Sequence, residues 1–400
     1  MSAGPPDEIV EGVTSRRIEV LDLLRGIAIV GTLGTNIWIF TDPGGPADVM
    51  GALGRPETLE TLLRFLTNGK FLALLTLLFG VGLELQYRSA ARRGVPWPGW
   101  YLWRAGLLFV EGLIHYLLIF EFDVLMGYAL ASIVVAYLIG RSDRAVKVWM
   151  ITVGSVFAAL VGLLTAGMLS APASTGGTSE PSRLFSDGTY PQQVAARIEM
   201  FGLYRIEIVL IVPMGIVLFL LGSRLMRAGV FEDSERGAAL RRRLMVAGLA
   251  VGVPLNLVTS FAGPGWFLVD RYLLPPLVAL GLLGLVATLA RRATGAPGVL
   301  RRGLTDVGRT ALSSYILQNL VASALCYGWG LGLAASLDHL RPWWVLAAWA
   351  GICALFMTLS TLWLRRFERG PVETLWQWAY LLPQGRRKKP DKIVEVSIER

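Results

Sequence analysis

Leu107-Leu-Phe-Val-Glu111-Gly-Leu-Ile-His115-Tyr-Leu-Leu-Ile-Phe120, followed at once by Glu121-Phe-Asp123, is the stretch that decides the fold. It closes an apolar run over 101–120, matching the ~20 residues a helix needs to cross a ~30 Å hydrocarbon core. A second apolar run begins at residue 123, and a turn this short makes the two helices antiparallel neighbours. Glu111 and His115 are four residues apart, so they share one helical face about one turn apart. His115 is one of two histidines in 400 residues. An ionisable group at membrane depth costs about 2.5–3.5 kcal/mol on insertion scales, which makes it a candidate site.

The same pattern recurs along the chain. Apolar residues make up 54% and charged residues 17%, with a mean hydropathy of +0.55. Soluble domains carry about 25% charge. Ten apolar runs are read at 20–40, 70–88, 101–120, 123–140, 147–169, 206–226, 244–262, 271–290, 311–334 and 343–364. Continuous runs rather than ten-residue alternating strands exclude a β-barrel. The fold class is all-α, a polytopic membrane helix bundle with about ten transmembrane helices.

The formal charge of +9 follows the positive-inside rule rather than a nucleic-acid surface. Lys and Arg gather in the N-terminus and alternate connections: Arg88, Arg92 and Arg93; Arg141, Arg144 and Lys147; Arg224, Arg227 and 241–243; Arg291, Arg292, Arg301 and Arg302. Arg365, Arg366, Arg369 and the basic run 386–389 follow the last span. The opposite connections hold only Arg55, Arg64, Arg183, Arg197, Arg205 and Arg341. Both termini are therefore expected in the cytoplasm, with the chain multi-pass in the inner (plasma) membrane. The first span follows two arginines, as in a signal peptide, but its apolar stretch is too long and lacks a small-residue cleavage site. It reads as an uncleaved first helix. Cys326 and Cys353 fall inside spans and indicate neither a disulfide framework nor a zinc site.

The expected organisation is a disordered cytoplasmic segment 1–15, a five-helix half 16–170, an extracytoplasmic loop 171–205, a second five-helix half 206–384 and a basic cytoplasmic tail 385–400. Within the first external connection, Leu59, Leu62, Leu63 and Leu66 recur at helical spacing and predict a short amphipathic helix on the outer interface. Pro213, Pro254 and Pro275-Pro276 predict kinks in spans six to eight.

Topology sets the depth of the polar residues. Asp22 and Arg25, three apart on the first span, lie toward its cytoplasmic end. They read either as an interfacial ion pair that lets Arg25 snorkel, or as a cationic anchor for a phosphorylated or acyl-thioester ligand. Asn36, Lys70, His115, Asp123 and Asp270 fall at similar depth in the outer half. Histidine takes a proton from a hydroxyl near neutral pH, and Glu111 or Asp123 is placed to fix its tautomer. The plainer reading is a structural histidine bonded between helices. His339, in the external turn Asp338-His-Leu-Arg-Pro342, reads as solvated. Two distant histidines do not make a metal site.

Several stretches together resemble the YeiB-like membrane proteins, the family of domain of unknown function 418. They are Leu21-Asp22-x-x-Arg25-Gly26-x-Ala28 with Asn36; Gly69-Lys70-Phe71 and Leu77-Leu-Phe-Gly80-x-Gly82; and Gly112-x-x-His115 with Asp123-x-Leu125 and Tyr128. Leu221-Gly222-x-x-Leu225-x-Arg227-x-Gly229, Val307-Gly308-Arg309-x-Ala311-Leu-Ser-x-Tyr315-x-Leu-Gln318 and Gly370-Pro371-x-Glu373-x-Leu-Trp376 complete the set. The match runs from about residue 17 to 382. One departure is Phe122 before Asp123, where such proteins often carry glycine.

Members of that family are described variously as transporters, and they resemble the transmembrane acyltransferase superfamily. The resemblance implies a bundle of ten or eleven helices with a polar pocket. It further implies acyl-CoA as a cytoplasmic donor substrate and a cell-envelope or small-molecule hydroxyl or amine as acceptor. His115 with Asp123 and Glu111 would carry the chemistry. Arg25 and Arg309 would steer the donor, and Asn36, Lys70 and Asp270 would line the acceptor side. The leading expectation is a membrane acyltransferase in the lipid bilayer. A small-molecule or proton-coupled transporter is the alternative, and a scaffold whose polar residues join helices is the third.

Overall fold

Helix termini in this chain carry the signals that stop and start them. Ser142 accepts a hydrogen bond from Ala145 N at 3.3 Å and caps the helix Asp143–Ser170, and Ser234 caps Glu235–Met245 through Gly237 N at 3.1 Å. The computed structural model describes residues 6–48, 58–171, 183–293 and 295–384, and no strand occurs among them. The expected tail 385–400 lies outside the described residues, as do 1–5 and 172–182 of the two other expected polar segments.

The helices, in chain order, are α1 Pro6–Phe40, α2 Thr58–Thr67, α3 Lys70–Arg92, α4 Tyr101–Leu118, α5 Leu125–Leu138, α6 Asp143–Ser170, α7 Tyr190–Glu199, α8 Ile208–Arg227, α9 Glu235–Met245 and α10 Val253–Phe261. They continue with α11 Pro275–Arg292, α12 Val299–Arg309, α13 Ala311–Cys326, α14 Trp343–Trp363 and α15 Pro371–Leu381. Among the described residues, seven helical stretches are long and apolar enough to cross a membrane. Helices α5 and α13, with 14 and 16 residues, are shorter than a bilayer-spanning helix, and α4 is diluted by Arg104, Glu111 and His115. The protein is a polytopic helical membrane protein.

Coverage is uneven. Of the most apolar stretch of α1, 72% is buried within the protein, against 17% for α6. Helix α1 packs on α3, α12 and α13, and α8 packs on α3, α5 and α6. Helices α3 and α8 approach closely because Gly80 faces the Phe219 backbone and Gly222 faces the Leu77 carbonyl, where a Cβ would sit about 2.1 Å from either oxygen. Short α5 is sheathed by α4 and α8, so its length need not match the bilayer.

Two boundaries differ from the sequence reading. Helix α1 begins at Pro6, well before residue 20, and the ninth span ends at Cys326 rather than 334. The expected interfacial helix is α2, and Gly69, at φ +69°, breaks it from α3. Leu59, Leu62 and Leu66 form its exposed face while Phe65 turns inward. The expected proline kinks sit beside wide helical turns: Val246–Gly252 precedes Pro254, Val269–Leu273 precedes Pro275, and Pro213 lies inside α8.

Candidate functional site

The turn after α4 brings its histidine back against the start of α5. Gly112 makes this possible: a Cβ there would lie 2.7 Å from Met126 N and 2.9 Å from Asp123 Oδ1. His115 Nδ1 lies 2.9 Å from Asp123 Oδ2. The other Asp123 oxygen accepts the Leu125 amide at 2.8 Å, opening α5. Helix α13 supplies the remaining partners. Asn319 Nδ2 is 3.2 Å from His115 Nε2, and the Tyr315 hydroxyl donates to Asp123 Oδ2 at 3.3 Å. Asn36 of α1 donates to Asn319 Oδ1 at 3.4 Å. All five side chains are buried. The Nδ1–carboxylate approach is an ion-pair distance rather than an aligned hydrogen bond, and Nε2 is the ring nitrogen that meets a hydrogen-bonding partner, Asn319. Ile114 and Val110, by contrast, are exposed, so the histidine is on the protein-facing side of α4.

A strap closes the turn from outside. Arg197 of α7 bonds Glu121 Oε1 at 2.7 Å and the Leu117 and Ile119 carbonyls at 3.2 and 3.3 Å, capping the C-terminus of α4. Arg205 donates to the Asp123 carbonyl at 2.9 Å and stacks 4.1 Å over Tyr116. Both arginines are thus held by carboxylate or carbonyl partners at this turn.

The five outer polar residues grouped by topology separate into two clusters. Asn36, His115 and Asp123 meet as described; Lys70 and Asp270 do not join them. Lys70 Nζ bonds the Phe65 carbonyl and lies 4.0 Å from the centre of the Phe65 ring. Asp270 accepts from Asn68 at 2.6 Å, from Asn256 at 2.7 Å and from Ser260. Next to it, Arg271 donates to Asn68 Oδ1 at 3.1 Å and to the Tyr272 hydroxyl at 3.1 Å, while Tyr272 donates to Glu207. This second cluster borders a cavity of about 920 Å³ whose lining includes Asn68, Glu207, Asp270, Arg271 and Tyr272. His115 does not line it; Phe122 and Tyr204, the chain neighbours of Asp123 and Arg205, do.

Glu111 stands apart from the His115–Asp123 pair. Its carboxylate oxygens are shielded and have no hydrogen-bond partner among the described residues. Asp123 rather than Glu111 therefore holds the imidazole. Arg25 pairs with Asp22 at 2.9 Å, and Arg309 lies 3.9 Å from Asp306; both arginines remain about a third or more exposed on the arginine-rich face, at 32% and 43%. Sequence reasoning passed over Asn319 and gave Tyr315 no role. The signal was a stripe: Ser314, Tyr315, Gln318, Asn319 and Ser323 recur on one face of an apolar helix and are all buried.

The class is a polytopic helical membrane protein with a buried histidine–carboxylate pair inside its helical bundle. Residues 225–382 match the model of the family described as protein of unknown function, DUF418. The chain is 26% identical to the uncharacterized protein YxaH of Bacillus subtilis, covering 94% of this chain and 98% of that one. It is 29% identical to the uncharacterized protein YeiB of Escherichia coli, covering 91% and 96%. A weaker likeness, 25% over 76% of this chain and 61% of the relative, is to NADH-quinone oxidoreductase subunit N 1 of Opitutus terrae. The chain is thus similar to YxaH and YeiB over nearly its whole length, and its second half matches the DUF418 family model.

Proposed function

We propose that this protein is a membrane-embedded acyltransferase that moves an acyl group from a cytoplasmic acyl-CoA to a hydroxyl or amine on the outer side. The observation that carries the reading is the His115 Nδ1–Asp123 Oδ2 contact of 2.9 Å, with Nε2 facing only an amide. Asp123 holds the proton on Nδ1, which leaves Nε2 as the base. An acceptor hydroxyl takes the place of the Asn319 amide and gives its proton to Nε2. Its oxygen forms the bond to the thioester carbonyl as the carbon–sulfur bond breaks. The imidazolium then returns the proton to the departing thiolate. Arg25 and Arg309, both partly exposed, are suited to the donor's phosphates on the inner side.

The test is transfer of label from acyl-CoA to envelope extract by the reconstituted protein. His115→Ala should abolish transfer, and Asp123→Asn should lower it about 10²–10⁴-fold, the usual worth of positioned general-base catalysis. Transfer by His115→Ala equal to the parent sinks the base assignment.

One observation favours a second reading. The unpartnered Glu111 carboxylate one turn inside His115 suits a proton relay in a transporter. Flux driven by a pH gradient without any acyl donor, and lost in Glu111→Gln, is what that reading requires.

A further inference from the structure

The outer cavity has two unlike ends. Its polar end carries Arg271 and Glu207, whose charges balance: Arg271 Nη2 is 3.8 Å from Glu207 Oε1. The other cation in the lining, Arg64, is already bonded to Glu60 at 2.8 Å. No protein donor meets Glu207 Oε2 among the described residues, and Arg271 spends Nε and Nη1 on Tyr272 and Asn68. A free acceptor and a free donor therefore stand side by side at the cavity wall. Asp270, by contrast, is filled by its own donors.

The other end is apolar and faces the bilayer. Leu160 and Leu164 of α6, Phe261 closing α10, and Phe267 line it. Helices α6 and α9–α10 are the least covered of the apolar stretches, with 17% and 22% of residues buried. Leu164 and Leu160 lie six and ten residues inside the end of α6 at Ser170. That is roughly 9–15 Å below it, within the hydrocarbon of the outer leaflet.

We propose that this cavity binds a lipid with an uncharged, hydroxyl-bearing head, which enters sideways from the outer leaflet. The tail lies along Leu160, Leu164 and Phe267, and the head places neighbouring hydroxyls on Arg271 and Glu207. A hydroxyl both donates and accepts, so it satisfies the guanidinium and the carboxylate together. A phosphate would meet Glu207, and an ammonium would meet Arg271. The charge-balanced pair therefore selects against both ionic heads. The cavity volume suits a small head with part of one chain.

The probe is an alkyl glucoside carrying a diazirine in its tail, applied to the full chain in lipid nanodiscs. Crosslinks are expected on peptides containing Leu160, Leu164 or Phe267. Octyl glucoside should displace the label at concentrations about tenfold below those needed for octyl phosphate or octyltrimethylammonium, the worth of one charge-assisted hydrogen bond. Glu207→Gln removes the carboxylate beside Arg271 Nη2, leaving Asp270 as its remaining acidic neighbour, and should reverse the order, with octyl phosphate the better competitor. Leu164→Trp should obstruct the bilayer mouth and lower labelling without changing the order. If Glu207→Gln does not fold, the Leu164→Trp result and the competition in the parent decide. Absence of label at these residues, or equal displacement by the three heads, overturns the proposal. His115→Ala should label like the parent, so failure of acyl transfer and failure of lipid binding are separate results.

Discussion

The two polar clusters are built from similar residues and solve opposite problems. Around His115, neighbouring helices bring Asp123, Tyr315, Asn319 and Asn36 into one buried network, and His115 is kept out of the cavity lining. Around Arg271, the carboxylate of Asp270 is saturated but Glu207 and Arg271 keep capacity toward open space. A polar network at membrane depth is tolerated only when its members are paired or face a cavity. Here one cluster takes the first course and the other the second. The sealed cluster admits an acceptor only by giving up the Asn319 amide, whereas the open one has room for a ligand as it stands.

Substitutions can break that contrast in graded steps. The largest effect belongs to the strap over the sealed cluster: Arg197→Leu leaves Glu121 buried without its cation, which costs about 3–5 kcal/mol. Thermal unfolding in detergent should show the loss, and adding Glu121→Leu should restore most of it. No rescue would mean that Arg197 acts through its carbonyl contacts instead. Next, Gly112→Ala drives a Cβ into the Met126 amide and the Asp123 carboxylate, costing about 1–3 kcal/mol by overpacking. Transfer activity should fall with it, because Asp123 has to move.

Asn319→Ala removes the Nε2 partner and leaves Asn36 unpaired, at about 1–2 kcal/mol. It also frees Nε2, so its effect on stability should exceed its effect on transfer. The smallest effect is expected at the open cluster. Ser260→Ala takes one of several donors from Asp270 and should change stability by no more than about 0.5–1 kcal/mol. A loss there as large as that at Arg197 would erase the distinction between sealed and open clusters.

Much of the sealed cluster was legible. His115 stands out as an ionisable residue in an apolar run, and the short turn Glu121-Phe-Asp123 forces Asp123 back toward it. Both facts are local. Lys70 and Asp270 are expected only at a similar depth, because depth along the membrane normal can be counted from residues, while position around the bundle cannot. Asn319 is 204 positions from His115, and no periodicity links the two. Glu111 shares a face with the histidine yet remains without a partner, because α13 reaches the face at His115 and Asp123 through Asn319 and Tyr315.

Composition and spacing by themselves determined the class, an all-helical polytopic membrane protein, since apolar runs of this length match a bilayer. The tertiary structure alone decided which residues at one depth meet. Helix rotation and neighbour choice depend on close approaches such as Gly80 to Phe219 and Gly112 to Met126. Those contacts join segments far apart in the chain, and their energies arise only once the helices have packed. They separated His115 from Lys70, gave it Asn319, and left the cavity beside Glu207 and Arg271.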